Sequence, residues 1–338
     1  MGRGRSQVDK KVLITEPTPF IEEEWGILEK HATVRLAKGI TEDDLIAEVK
    51  DVDVILVVYA KITKRVMDSA PRLKGIVRYG IGVDNIDIQA ATEMGIYVAN
   101  VPDYCIGTVA EHTFALLLAL ARKVILANCI VKNASWKVWT QQPRELMGTD
   151  LEGKVLGLIG MGNIGSAVAI RAKAFGMKVI AYDPYLEKDR ARLLGVELVD
   201  LDTLLKNSDF VSIHAPLTPE TRGMIGEQEL KKMKRTAYLI NTSRGPIVKE
   251  SALYEALKNG WIAGAALDVY EKEPPDRDNP LFKLDNVVLT PHIAWYTEEA
   301  LKRLKRSVAE EAIRILNGMP PKNLVNKDVH FSRKMIQQ

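Results

Sequence analysis

Arg244, Glu273 and His292 stand just past three successive apolar runs of the chain, at 237–240, 263–267 and 287–289. An arginine can grip a carboxylate through two parallel hydrogen bonds. An imidazole suits proton transfer near pH 7, and a carboxylate beside it fixes the tautomer and favours the imidazolium. Taken singly, each residue has a plainer reading. Arg244 could be a surface ion pair, His292 a turn residue after Pro291, Glu273 a loop charge before Pro274, and Asp268 a cap on its own turn. Read together, they put a cation, a carboxylate and an imidazole on the strand-end edge, where open α/β sheets do their work. That combination predicts a site that holds an anionic substrate and moves a proton.

A second constellation lies upstream. The apolar run 155–159 enters Gly160-Met161-Gly162-Asn163-Ile164-Gly165, and a helical pattern follows at once. In such a turn the first glycine allows the sharp exit from the strand. The second lets backbone approach a pyrophosphate, and the third lets the helix pack on the sheet. The unpaired N–H groups at the helix start then face the phosphates. The next strand, 178–182, ends in Asp183-Pro184. An acid roughly 20 residues past the glycines accepts the ribose hydroxyls of an adenosine and repels a 2′-phosphate. The expected cofactor is therefore NAD rather than NADP. His214 also ends a strand, but no acidic partner is evident in the sequence, so it reads as a cofactor-loop residue and not as a second base. His31, His112 and His330 read as structural or surface residues.

These residues need a frame. Residues 11–100 alternate short β runs with helical runs, which predicts a parallel sheet covered on both faces. Strands are expected at 12–14, 33–36, 54–58, 75–78 and 96–99, and helices at 21–29, 64–69 and 86–93. A further helix opens at Thr41 with a threonine cap and an acidic first turn. Cys105 to Asn128 reads as one long helix, apolar on most of its circumference and so buried between layers or subunits. A loop with Trp136, Trp139 and Pro143 follows. From Val155 a second β/α series runs to Leu289, with strands at 155–159, 178–182, 196–199, 210–213, 237–240, 263–267 and 287–289. This is a doubly wound nucleotide-binding domain. A last helix, Thr297 to Asn317, is the expected return to the first domain.

The chain has 338 residues, 46% of them apolar, enough for two domains with cores. Lys and Arg number 47 against 44 Asp and Glu. So small an excess argues against a nucleic-acid or membrane surface as main partner, and the basic pieces (2–5 and 333–334) are short and terminal. Cys105 and Cys129 form neither a disulfide framework nor a metal site. They fit a reducing cytoplasm, and the polar start shows no secretory signal. The longest apolar run, 114–121, is far short of the roughly 20 residues of a membrane helix.

The chain resembles the D-isomer-specific 2-hydroxyacid dehydrogenases nearly end to end. The motifs are Gly80-Ile-Gly82-Val-Asp84-Asn85-Ile-Asp87, Asn100-Val-Pro-Asp-Tyr104, Gly160 to Gly165, Asn241-Thr-Ser-Arg244-Gly245, Asp268 to Pro274 and Thr290-Pro-His292. Within that family, 182–186, 292–296 and 325–328 are most similar to the C-terminal binding protein branch. The resemblance implies two doubly wound α/β domains. One is a Rossmann NAD-binding domain at 104–295, and the other a flavodoxin-like substrate domain formed by 1–103 and 296–338. It implies a homodimer joined through the nucleotide domains. By resemblance, Arg244 binds substrate, and Glu273 and His292 form the catalytic pair. The Ile81 and Gly82 amides hold the substrate carboxylate. Asn163, Ile164, Asp183, Thr242, Ser243 and Asp268 touch NAD, with His214-Ala215-Pro216 in the adenosine and pyrophosphate loop. Ser243 stands where many relatives have alanine, an exchange expected to be harmless.

The expected reaction is reversible hydride transfer between NADH and a 2-keto acid. The substrate is expected to be unphosphorylated, either small (glyoxylate, hydroxypyruvate) or with an apolar side chain. Phosphoglycerate dehydrogenases of the family carry an arginine-rich loop after the third strand, where this chain has Val57-Val-Tyr59-Ala-Lys61. The length also leaves no room for their usual regulatory domain. Tyr59 and Trp295 suggest an aromatic wall over the substrate side chain, although Trp295 could equally pack in a domain interface. The rival reading is an NAD(H)-gated protein-interaction module of the co-repressor kind.

Overall fold

The computed structural model describes residues 10–16, 22–133 and 146–329. The expectations placed on Trp136, Trp139, Pro143, His330 and the basic termini fall outside these. The chain divides into two compact units, Met1–Tyr104 with Thr297–Gln338, and Cys105–Tyr296.

The first unit runs β1 (Lys11–Ile14), α1 (Glu22–Leu28), β2 (Thr33–Leu36), α2 (Glu42–Glu48), β3 (Val54–Val57), α3 (Lys64–Asp68), β4 (Gly75–Arg78), α4 (Ile88–Glu93) and β5 (Tyr97–Ala99). The strands form a wholly parallel sheet in the order β2-β1-β3-β4-β5, the flavodoxin-like arrangement. All four residues of β3, Val-Ile-Leu-Val, are buried, as an interior strand with helices on both faces requires. Thr41 caps α2 in a reciprocal box with Asp44. The helix expected from Ile86 starts instead at Ile88, because the Asp87 carboxylate accepts the Ala90 N–H at 2.9 Å and stops the helix there.

The second unit opens with α5 (Ile106–Ala121) and α6 (Val124–Lys132). It continues through β6 (Val155–Ile159), α7 (Asn163–Ala174), β7 (Lys178–Tyr182), α8 (Lys188–Leu193), β8 (Glu197–Leu198), α9 (Leu201–Asn207), β9 (Phe210–Ile213) and α10 (Glu227–Lys232). It ends with β10 (Tyr238–Asn241), α11 (Glu250–Lys258), β11 (Gly264–Leu267) and β12 (Val287–Leu289). The seven parallel strands lie in the order β12-β11-β10-β9-β6-β7-β8, so the sheet reverses direction between β6 and β9. The last helix, α12 (Glu298–Leu316), returns the chain to the first unit. Leu304, Val308, Ala312 and Ile315 lie on its buried side.

The single long helix expected over 105–128 is two helices. The chain breaks at Lys123, which adopts a left-handed φ of 56°, and α5 and α6 meet at 64°. Left-handed backbone is unfavourable for a lysine, and tertiary contacts hold it. Lys123 Nζ lies 3.1 Å from the Tyr238 hydroxyl and 5.0 Å from that ring's centre. The Thr149 N–H takes the Ala121 carbonyl. Within the chain α5 is buried, whereas none of the residues of α6 is. Among the described residues, no single helix is long and apolar enough to cross a membrane.

Candidate active site

The glycine turn leaves β6 at Gly160, whose φ of 93° suits no other residue well. A Cβ there would sit 2.6 Å from the Ala215 nitrogen, so the 214–216 loop lies directly against the turn. A Cβ on Gly165 would meet the Gly160 carbonyl at 2.3 Å, whereas one on Gly162 would meet nothing within 4 Å. The open space is therefore at the start of α7, where a pyrophosphate would meet the helix N–H groups. Asp183 ends β7 with both oxygens ordered. Oδ2 accepts the Met161 N–H at 2.8 Å and Oδ1 the Tyr185 N–H at 3.0 Å. Each oxygen keeps a lone pair for a ribose hydroxyl. These residues fit a dinucleotide.

His214 is tied by its N–H to the Ile159 carbonyl at 2.7 Å, and its Nε2 lies 2.9 Å from the Ser212 hydroxyl. Burial lowers its imidazole to about 4, so the ring is neutral at pH 7 and does not act as a base of ordinary strength.

The three strand-end residues come from β10, β11 and β12. Past β10 the buried Asn241 side chain bends the chain: Oδ1 accepts the Ser243 N–H at 3.0 Å and Nδ2 donates to the Arg244 carbonyl at 2.9 Å. The Ser243 hydroxyl donates to the Ala215 carbonyl, and Thr242 pairs with Thr113 of α5 at 3.0 Å. Gly245 then packs so closely on the next loop that a Cβ would fall 1.8 Å from the Tyr270 carbonyl oxygen. This contact joins the Arg244 turn to the loop that carries Glu273.

Glu273 and His292 are in direct contact, Oε2 to Nδ1 at 2.6 Å. The other Glu273 oxygen accepts the Tyr270 N–H at 3.0 Å. Burial raises the Glu273 carboxyl. The hydrogen bond and charge of His292, the Tyr270 N–H and the charge of Arg244 outweigh that and hold it below its ordinary 4.5. Burial pushes the Tyr270 phenol up to about 12, so it stays protonated and donates to the Thr290 carbonyl at 3.0 Å. His292 has a left-handed φ of 55°. Its N–H donates to the Asp268 carbonyl at 2.8 Å, and its own carbonyl accepts the Trp295 indole N–H at 2.9 Å.

Asp268, expected at the cofactor, is fully buried. Its Oδ1 accepts Thr290 Oγ1 at 2.6 Å and the Ile293 N–H at 2.9 Å, and its Oδ2 accepts the Ala294 N–H at 2.8 Å. His112 Nε2 is 3.5 Å from Oδ1. Burial raises its carboxyl, but these donors together hold it below the usual range. The carboxylate thus clamps both sides of His292.

In the first unit, the Ile81–Gly82 turn follows β4. Its Ile81 carbonyl is held by Asn100 Nδ2 at 2.7 Å. Among the described residues no acceptor meets the N–H of Ile81 or Gly82, so both can bind a carboxylate. Tyr59, past β3, is exposed.

A family description, D-isomer specific 2-hydroxyacid dehydrogenase, NAD binding domain, matches residues 114–294. The chain belongs to the D-isomer-specific 2-hydroxyacid dehydrogenases. It is 46% identical to a glyoxylate reductase of Korarchaeum cryptofilum over 94% of this chain and 96% of that one. A D-3-phosphoglycerate dehydrogenase of Methanocaldococcus jannaschii is 47% identical over 94% of this chain but 59% of its own length. The structure of a D-lactate dehydrogenase from Aquifex aeolicus, complexed with NAD and lactic acid, superposes with a TM-score of 0.82 at 34% identity. The match covers 91% of this chain and 96% of that one. The chain is thus an NAD-dependent oxidoreductase acting on the CH–OH group of its donors.

Sequence reading of this dehydrogenase missed the supports of the site. Asn241, Asn100 and Tyr270 lie inside the quoted motifs, but no local pattern tells that their side chains hold neighbouring turns. For His112, read from the sequence as structural or surface, the structural role is the one found. It lies under the His292 loop, 3.1 Å from Thr290 Oγ1.

Proposed function

We propose that this dehydrogenase reduces an unphosphorylated 2-keto acid to the 2-hydroxy acid, and oxidises the product in reverse. The substrate is small, like glyoxylate or hydroxypyruvate, or carries an apolar side chain. The observation that carries the reading is the 2.6 Å contact between Glu273 and His292 beside the Arg244 turn. Bound NADH supplies the hydride that reduces the carbonyl carbon. Arg244 and the Ile81 and Gly82 amides bind the substrate carboxylate. His292 donates the proton that the carbonyl oxygen takes up, and Glu273 stabilises the imidazolium before that transfer. In oxidation His292 takes the hydroxyl proton. Asp268 holds the His292 loop, while Asn163, Ile164, Asp183, Pro184, Thr242, Ser243 and the 214–216 loop surround the cofactor. The substrate domain is assigned to 1–103 and 296–338, and Tyr59 and Trp295 are assigned to recognition of the substrate side chain.

The substrate class is supported by the glyoxylate reductase relative and by the loop after β3, whose one cation is Lys61. That loop holds no arginine to grip a phosphate with paired hydrogen bonds. The same reading makes the enzyme a cytoplasmic homodimer. Val124, Ile125 and Val131 on α6 are exposed, an apolar face that suits burial between subunits. Initial rates with NADH across a panel of 2-keto acids test the proposal. Glyoxylate, hydroxypyruvate or an apolar keto acid should give the highest kcat/KM. A higher value for phosphohydroxypyruvate would reverse the substrate assignment and favour a phosphoglycerate dehydrogenase.

A further inference from the structure

Glu16 and the backbone of residues 58–60 meet past the carboxyl ends of β1 and β3. These strands are neighbours in the sheet, although β2 separates them along the chain. Their ends therefore flank the point where the sheet reverses direction, the crevice in which open α/β sheets take ligands. Glu16 is 8% exposed there. Its Oε2 accepts the Val58 N–H at 2.9 Å, and its Oε1 accepts the Tyr59 N–H at 2.7 Å and that of Ala60. The Thr15 hydroxyl also donates to it. Three successive amides aimed at one carboxylate make an anion nest. From the other side, Asn85 Nδ2 donates to the Ala60 carbonyl at 2.8 Å. The loop backbone is thus pinned from both sides while the Tyr59 residue stays 59% exposed. A buried carboxylate is tolerated only where donors satisfy it. Any other course of the loop would leave Glu16 without most of its donors.

We propose that Glu16 is a positioning residue for substrate recognition. Through the amides of Val58, Tyr59 and Ala60 it sets the loop that carries Tyr59, and so sets which 2-keto acid side chains the enzyme accepts. The inference rests on the proposed role of that loop at the substrate.

The test uses Glu16→Ala, Glu16→Gln and Glu16→Asp in the full chain. Glutamine offers one acceptor and turns an NH2 toward the remaining amides, so it should behave like alanine. Aspartate keeps the carboxylate one methylene short and should restore part of the function. For the alanine and glutamine variants, KM for the best 2-keto acid should rise about tenfold or more, with kcat and the Kd of NADH within about threefold of the parent. Hydrogen exchange at 58–60 should quicken in the same two variants. An unchanged KM overturns the proposal whatever the exchange shows. So does an equal loss of kcat, NADH affinity and Tm, which would mark Glu16 as a fold residue. Tyr59→Ala separates the two levels of inference. If it changes the ranking of keto acids and Glu16→Ala does not, Glu16 is excluded and the loop assignment stands. If neither changes it, the loop assignment fails as well.

Discussion

The imidazole of His292 reaches the carboxylate of Glu273 across 2.6 Å, Nδ1 to Oε2. Each partner is held from behind. Glu273 takes the Tyr270 N–H on its second oxygen, and the His292 backbone is fixed between the Asp268 carbonyl and the Trp295 indole. With Nδ1 committed to Glu273, Nε2 is the ring atom left to exchange a proton. The ring presents it in one orientation.

The depressed Glu273 carboxyl gives a pH prediction. The folded protein keeps this group ionised below its ordinary 4.5, so there the unfolded chain binds more protons. The pair's contribution to stability is then present above that value and is lost as pH falls through the lower native one. Glu273→Gln should therefore lower Tm most above pH 4.5, with the gap to the parent closing at more acid pH. A gap that stays constant from pH 7 to strongly acid conditions would leave Glu273 as an unlinked loop charge.

His292→Ala should lower kcat by about 10²–10⁴-fold, the scale of a lost general acid–base group. NADH should still bind with near-parental affinity, because the glycine turn and Asp183 belong to β6 and β7. Fluorescence titration with NADH and steady-state rates measure both quantities. Full turnover in this variant would remove His292 from the chemistry.

Asp183→Ala should erode the preference for NADH over NADPH. Among the described residues, the carboxylate accepts two backbone N–H groups, those of Met161 and Tyr185. Losing charge-assisted bonds to the ribose should shift the ratio of kcat/KM values by about tenfold or more. Equal efficiency with both cofactors in the parent enzyme would contradict the assignment.

Gly245→Ala tests the join between the Arg244 turn and the Glu273 loop. The new methyl would fall 1.8 Å from the Tyr270 carbonyl oxygen, so one backbone must move. Overpacking of this kind costs about 1–3 kcal/mol of stability. The displaced loop carries the carboxylate of the pair, so kcat should fall further than NADH affinity does. A variant with parental kcat would show that the loops tolerate separation.

Much of the frame is legible in the sequence alone. Apolar runs such as Val54–Val57 and the capped start at Thr41 are backbone-level signals, carried by residues adjacent or one helical turn apart. The turn from Gly160 to Gly165 followed by Asp183 is legible for the same reason, since only glycine fits its positive φ and close approaches. The break at Lys123 was not legible. The apolar pattern continues through it, and the residues that meet the chain at the break, Tyr238 and Thr149, are distant in sequence.

The sequence by itself determined that a cation, a carboxylate and an imidazole would follow successive strands of an α/β sheet with a dinucleotide turn. Chain order and periodicity specify strand ends, but not which side chains meet across them. Only the tertiary structure separated Asp268 from Glu273 in the β11 loop. Parallel register and the close approach at Gly245 turn Glu273 onto His292, while Asp268 is sealed beneath the next loop and spends its charge on Thr290, Ile293 and Ala294. The same holds for Glu16, whose partners at 58–60 become neighbours only because β1 and β3 pair in the sheet. Contacts of this kind depend on how the strands assemble, and no local run of residues encodes that.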